Sequence, residues 1–221
     1  MTSSLDLAAL LCSRLCHDLL SPVGAINNGL ELLADEKDPE MRERCLELLE
    51  QSARISADKL KFFRLAFGAA GGFGDMVPTE EPRQLIAALV ANNERLQLEW
   101  AVATSSLPKP AVKVLLNLAA IGLDSLVRGG TLAVGAEMRA GTAGRMTEIA
   151  IRASGNRVAF DETIGKALDG SLDRAELSGR TAPAHMVHLL VEQQGGTLQV
   201  AHTAEALVVG VTMPAPEGLI G

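Results

Sequence analysis

What this sequence has in short supply excludes several classes of protein. It has 20 basic against 27 acidic residues, a net charge of -7, and no block of basic side chains, so a nucleic-acid partner is not expected. Its most apolar stretch, residues 111–126, is interrupted by Lys113, Asn117 and Asp124, which leaves no run long enough for a membrane span. The first residues lack a basic segment ahead of their apolar ones, which argues against a signal peptide.

Cysteine is also scarce. Cys12, Cys16 and Cys45 are odd in number and lie among helical leucines, so we expect reduced core thiols in a cytoplasmic protein rather than a disulfide framework. His185 and His188 are one helical turn apart, but no clustered cysteines or carboxylates accompany them. We therefore expect no metal site.

The first third of the chain has the apolar spacing of two amphipathic helices. Over residues 5–34 the apolar side chains recur at steps of three and four, which predicts one long helix with a buried face. Asp38 and Pro39 then supply an N-cap and a first helical residue for a second helix, which continues to the glycine-rich stretch GAAGGFG at 68–74. A lone hairpin of this length would leave an apolar seam exposed, so we expect a homodimer whose two hairpins form a four-helix bundle.

Beyond the glycines, helical patterns alternate with short stretches in which every second residue is apolar. This pattern predicts an α+β fold with helices on one face of a sheet. The expected domain organisation is therefore a dimerisation hairpin over 1–70, a linker over 71–78 and an α/β domain over 79–221. No internal repeat or low-complexity tract is present.

The stretch RLCHDLLSP, residues 14–22, holds the main candidate for chemistry. At about 100° per residue, His17 lies near 200° from the apolar stripe centred on Leu15, and so we expect it to face water. Pro22 interrupts the helical hydrogen bonds one turn later, at a cost of about 3 kcal/mol, which is typical of a functional position. A neutral imidazole is abundant at pH 7, and one of its nitrogens can attack while an acceptor such as Asp18 holds the other.

These residues resemble a known motif. The run from His17 to Pro22 resembles the H box of sensor histidine kinases, a His followed by an acid, two aliphatic residues and Asn/Ser/Thr-Pro on the first helix of a dimerising hairpin. Residues 115–134 and 195–200 resemble, in layout, the ATP-binding (GHKL) domain of the same kinases. The kinase nucleotide contacts are nevertheless lost: Ile121 stands where a metal-binding asparagine is expected, Ala153 where an adenine-reading aspartate is expected, and SGRTAPAH at 178–185 where a glycine-rich loop is expected.

An intact H box beside a degenerate ATP site is similar to histidine phosphotransferases of the ChpT type, and FFRLAFGA at 62–69 is also similar to that family. The resemblance implies a cytoplasmic, alphaproteobacterial cell-cycle phosphorelay. In it, His17 would take a phosphoryl group from the receiver domain of a hybrid kinase and pass it to response regulators, with Asp18 orienting or deprotonating the imidazole. The chain would need no cofactor of its own, because Mg²⁺ would come with the receiver.

Four residues around His17 are candidates for receiver docking, although each could be ordinary surface: Arg14, Leu20, Ser21 and Val23. Two other classes of function remain open at this point. A divergent ATP-dependent histidine kinase would require a nucleotide pocket, and a non-catalytic dimeric scaffold would leave His17 without a role.

Overall fold

The computed structural model describes residues 4–68, 75–141 and 144–215. Its first part is a helical hairpin of α1, Ser4–Asp35, and α2, Pro39–Ala66. The Asp38 carboxylate accepts a hydrogen bond from the Glu40 amide, and Pro39 is the first residue of α2, as the sequence predicts. The helices pack closely at Gly29, where a Cβ atom would come within 2.8 Å of a Leu49 methyl.

The second part is built from the following elements, in chain order: β1 (Met76–Pro78), α3 (Glu80–Ala91), β2 (Leu96–Val102), β3 (Ser106–Pro108), α4 (Lys109–Ser125), β4 (Gly130–Gly141), β5 (Gly144–Ser154), α5 (Glu162–Asp169), a 3-10 turn (Arg174–Glu176), α6 (Ala182–Gln193), β6 (Thr197–His202) and β7 (Ala206–Pro214). The main sheet has the strand order β2-β4-β5-β7-β6. Only β2 and β4 are parallel among its neighbouring pairs, and the others are antiparallel.

Helices cover one face of this sheet. α4 packs on β4, β5 and β7, α5 and α6 pack on β6, and α3 packs on β2. The strand side chains that face these helices, such as Leu132, Ile151 and Val209, are buried, while their neighbours on the other face are more exposed. Alternation of period two thus gives the sheet a single covered face. The predicted α+β architecture, with an α/β sandwich after a helical hairpin, is confirmed.

The structure departs from the sequence predictions at two places. Residues 76–78, expected to be linker, form β1 and pair with β3 in a separate two-stranded sheet, while 71–74 lie outside the described residues. Cys45 is buried as expected, but placing Cys12 and Cys16 in the core is wrong, because both thiols are free and exposed. They lie about 60° and 100° from the stripe centred on Leu15, outside the face that α1 buries.

Within the described ranges, no helix combines the length and apolarity that a membrane crossing requires.

Candidate functional site

His17 projects from the side of α1 that faces away from the hairpin core, as predicted, with 84% of its side chain exposed. Its Nδ1 lies 3.2 Å from Oδ1 of Asp18. A carboxylate can only accept a hydrogen bond, so this contact favours the neutral tautomer in which Nδ1 carries the proton and Nε2 keeps a lone pair. The arrangement therefore leaves a lone pair on Nε2 of an exposed imidazole, which is what a nucleophile requires.

Arg14 holds the other oxygen of the same carboxylate. Its Nε donates to Asp18 Oδ2 at 2.7 Å, and its Nη2 donates to Oδ2 of Asp124 on α4 at 2.9 Å. Burial opposes the charge of this guanidinium, but the charges of Asp124 and Asp18 and their hydrogen bonds outweigh it and raise the pKa of Arg14 above its ordinary value. Arg14 thus links the hairpin to the second domain beside His17.

Pro22 is buried within α1, which continues through it. Because proline has no amide hydrogen, the carbonyl oxygen of Asp18, four residues earlier, loses its helical donor. Lys59 on α2 replaces that donor, with its Nζ 2.9 Å from the Asp18 carbonyl oxygen. The backbone of Asp18 is therefore anchored to the second helix of the hairpin while its side chain is anchored by Arg14.

The other sequence-predicted docking residues lie around the same turn. Leu20, Ser21 and Val23 are exposed, and the leucine and valine residues are 70% and 45% accessible. Arg14 differs from them, because only 22% of its side chain is accessible and it is occupied by two carboxylates. The structure thus brings an exposed apolar surface next to His17 and directs Arg14 inward.

A cleft of about 340 Å³ separates the hairpin from the second domain behind this site. Phe62, Phe63 and Phe67 of the hairpin line one side, and Asn117 and Ile121 of α4 line the other. Asn117 is buried and donates from Nδ2 to the carbonyl of Ala66, at the end of α2, and to that of Lys113. This amide therefore ties the two parts of the chain together at the floor of the cleft.

The positions where a kinase nucleotide site is expected lie in apolar or packed surroundings. Ile121 and Ala153 are buried in the core, 7% and 0% exposed. The segment that precedes α6 rests on α1: a Cβ added at Gly179 would lie 3.3 Å from the Arg14 amide nitrogen and 3.4 Å from the Leu10 carbonyl oxygen. In the described part of the chain, no cluster of three or more His, Cys, Asp or Glu side chains could hold a metal ion.

Two residues of this site, Lys59 and Asp124, were not found from the sequence. Pro22 did signal that the Asp18 carbonyl needs a donor, but the sequence alone does not tell which side chain of the second helix reaches it. Asp124 is 110 residues from Arg14, and its role depends on how the domains pack. Neither residue belongs to a recognisable motif.

Comparisons with known proteins agree with this architecture. Residues 79–206 match the family described as the histidine phosphotransferase C-terminal domain. The protein phosphotransferase ChpT of Brucella abortus (strain 2308) is 38% identical over 208 residues, which cover 93% of this chain and 95% of the relative. A solved structure of a bacterial phosphotransferase aligns with a TM-score of 0.81 at 34% identity, over 96% of this chain and 98% of that one.

A histidine kinase domain from Erythrobacter litoralis EL346 also aligns, at 10% identity and a TM-score of 0.46, over 88% of this chain and 94% of that one. The phosphotransferase matches extend across both the hairpin and the sheet domain, and the resemblance found in the sequence is confirmed. This chain belongs to the histidine phosphotransferase family.

Proposed function

We propose that the chain carries a phosphoryl group on Nε2 of His17 between aspartates of receiver domains, taking it from a hybrid histidine kinase and giving it to response regulators. The observation that carries this proposal is the exposed imidazole of His17, whose Nδ1 lies 3.2 Å from the Asp18 carboxylate. An exposed histidine without such a partner has no fixed tautomer, whereas this one keeps a free lone pair on the nitrogen that faces solvent.

The bonds made and broken in this transfer involve only His17 and the aspartates of the two receiver domains. The Nε2 lone pair attacks phosphorus, the P–O bond to the donor aspartate breaks, and that aspartate leaves as a carboxylate. Nδ1 keeps its proton, so the imidazole ring becomes positively charged and Asp18 stabilises that charge. The acceptor aspartate then attacks phosphorus, the N–P bond breaks, and neutral His17 is restored. Such a transfer depends mainly on positioning and electrostatics.

We infer further that ATP is not the donor and that the chain supplies no cofactor. The two positions expected to contact metal and adenine are Ile121 and Ala153, and neither offers a polar side chain. Mg²⁺ and a cation for the transferring phosphoryl group would come from the receiver domain. The exposed side chains of Leu20, Ser21 and Val23 would contact that domain beside His17. Arg14 would not contact the receiver but would orient Asp18 through its hydrogen bond.

We also propose that the chain is a homodimer. The hairpin exposes many large apolar residues, and such a concentration is typical of an interaction surface. The nine residues are Leu5, Leu20, Val23, Leu30, Leu32, Met41, Leu46, Leu48 and Leu60. Pairing of two hairpins into a four-helix bundle would cover part of this surface.

Label transfer from a panel of phosphorylated receiver domains tests the central step. We expect wild-type chain to acquire an acid-labile phosphoryl group, His17→Ala to acquire none, and His202→Ala to behave as wild type. His202 is a suitable control because it is also exposed, on the edge strand β6. Both substitutions remove an exposed imidazole and should leave circular dichroism unchanged. Full labelling of His17→Ala would refute the assignment.

A further inference from the structure

Three side chains form a continuous chain of polar contacts from the second domain to His17. Asp124 lies near the end of α4 and accepts from Nη2 of Arg14 at 2.9 Å. Arg14 in turn donates from Nε to Asp18 Oδ2 at 2.7 Å, and Asp18 Oδ1 lies 3.2 Å from Nδ1 of His17. Asp124 belongs to the sheet domain, whereas Arg14, Asp18 and His17 lie on one helix of the hairpin.

The local pair within α1 cannot by itself hold Asp18 firmly. Arg14 and Asp18 are four residues apart with the cation first, which is the less favourable order for such a pair along a helix. A free arginine side chain also samples many rotamers. Asp124 gives the guanidinium a second carboxylate at a fixed position, so Arg14 is held in the geometry that it needs to orient Asp18.

The packing of the second domain fixes where Asp124 is presented. Gly179, in the segment before α6, approaches the backbone of α1 at Leu10 and Arg14 so closely that a Cβ atom would lie about 3.3 to 3.4 Å from it. Asn117 ties α4 itself to the end of α2. Asp124 therefore extends from a helix that Asn117 ties to the hairpin, in a domain that also contacts α1 at Gly179.

From this geometry we propose that Asp124 is a positioning residue for phosphoryl transfer, acting through Arg14 and Asp18 to keep the proton of His17 on Nδ1. The proposal rests on the proposed function of His17 as phosphoryl carrier. The sheet domain then takes part in the chemistry itself. Without Asp124, the imidazole of His17 would exchange its proton between the two nitrogens more freely, and a smaller fraction of the molecules would present a nucleophilic Nε2.

The experiment compares full-length wild type with Asp124→Ala and Asp124→Glu, using a phosphorylated receiver domain as donor. Nitrogen-15 spectra of histidine-labelled protein report the tautomer of His17. The chain has four histidines, and the His17 signals are identified by their absence in His17→Asn. In Asp124→Ala we expect a larger Nε2–H population and about five-fold slower transfer at saturating receiver, which corresponds to about 1 kcal/mol at 1.4 kcal/mol per factor of ten, the upper value for an exposed pair.

The conservative and control variants separate positioning from other effects. Asp124→Glu keeps the carboxylate and should recover at least half of the lost rate. Glu205→Ala removes one negative charge from the exposed turn between β6 and β7 and should leave both the rate and the tautomer unchanged. A rate loss that is confined to a higher KM would mean that Asp124 contacts the receiver, and would overturn the proposal.

An unchanged tautomer ratio or an unchanged saturated rate in Asp124→Ala would also overturn it. Failure of the proposed function looks different: wild-type His17 would then acquire no label from any receiver, although the tautomer spectra could still be measured.

Discussion

The contact between Lys59 and the Asp18 carbonyl predicts a coupling that can be measured by double mutation. Lys59→Met removes the ammonium group and keeps most of the aliphatic stem of this half-buried side chain. In wild type this leaves a part-buried carbonyl without a donor, because Pro22 supplies none. In a Pro22→Ala background the alanine amide can donate to the same oxygen, four residues earlier in the helix, and Lys59 becomes redundant.

The expected loss of stability follows from the type of hydrogen bond that Lys59 makes. A hydrogen bond to a charged group is worth about 1.5–3 kcal/mol, and partial exposure of this one reduces that to about 1–2 kcal/mol. We therefore expect Lys59→Met to lower the free energy of unfolding by about 1.5 kcal/mol in wild type and by about 0.5 kcal/mol or less in Pro22→Ala. The coupling of about 1 kcal/mol exceeds the error of additivity for independent sites, about 0.3–0.5 kcal/mol.

Urea denaturation of all four proteins at one protein concentration provides the measurement, since a dimer would make stability depend on concentration. Lys61→Met is the matched control. Lys61 is 62% exposed and lies 3.6 Å from Asp58, so its loss should cost less than about 0.5 kcal/mol. Equal cost of Lys59→Met with and without Pro22 would refute the idea that Lys59 replaces the missing helical donor.

Three further predictions concern the nucleotide, the dimer and pH. Because Ile121 and Ala153 offer no polar contact, calorimetry should detect no ATP binding at millimolar nucleotide, and saturable Mg²⁺-dependent binding at micromolar ATP would contradict this. Leu30→Lys should shift the protein toward monomer in light scattering, because an unpaired ammonium buried in the dimer interface is costly. Val127→Lys, outside the hairpin, should leave the dimer intact. A wild-type chain that is already monomeric would exclude the four-helix bundle. Hydrogen bonds from Thr163 lower the pKa of Asp161, so its carboxylate stabilises the folded state above the ordinary aspartate pKa of about 3.9, and this contribution is lost as the pH falls below that value. Asp161→Ala should accordingly lower the free energy of unfolding by about 1 kcal/mol at pH 7, and by progressively less as the pH falls below about 3.9, in thermal or urea unfolding. A loss of stability that does not depend on pH would contradict this role of the Asp161 carboxylate.

The elements that could be predicted from the sequence are those whose pattern repeats over several turns or residues. α1 and α2 follow from apolar steps of three and four with a cap at Asp38, and β2 follows from strict alternation over Leu96–Val102. The strands β1 and β3 were missed because three residues are too few to show a period. Cys12 and Cys16 were misplaced because composition suggested a core thiol where the helical angle indicated an outer position.

The site divides in a similar way. His17, Asp18 and Pro22 are adjacent on one helix, so their relation can be derived from helical geometry. Lys59 is 41 residues from Asp18 and Asp124 is 110 residues from Arg14, and these contacts arise only when the helices and domains pack together. The sequence therefore predicts the nucleophile, while its supports depend on tertiary packing.

The identity of the atom that carries phosphorus tests the proposed role of His17 most directly. The full-length chain, with nitrogen-15 in its histidines, is phosphorylated by a labelled receiver domain and studied by phosphorus–nitrogen correlation spectroscopy. We expect a single N–P bond at Nε2 of His17, with the Asp18 carboxylate still beside a protonated Nδ1. Phosphorus bonded to Nδ1 of His17, or to any residue other than His17, would contradict it.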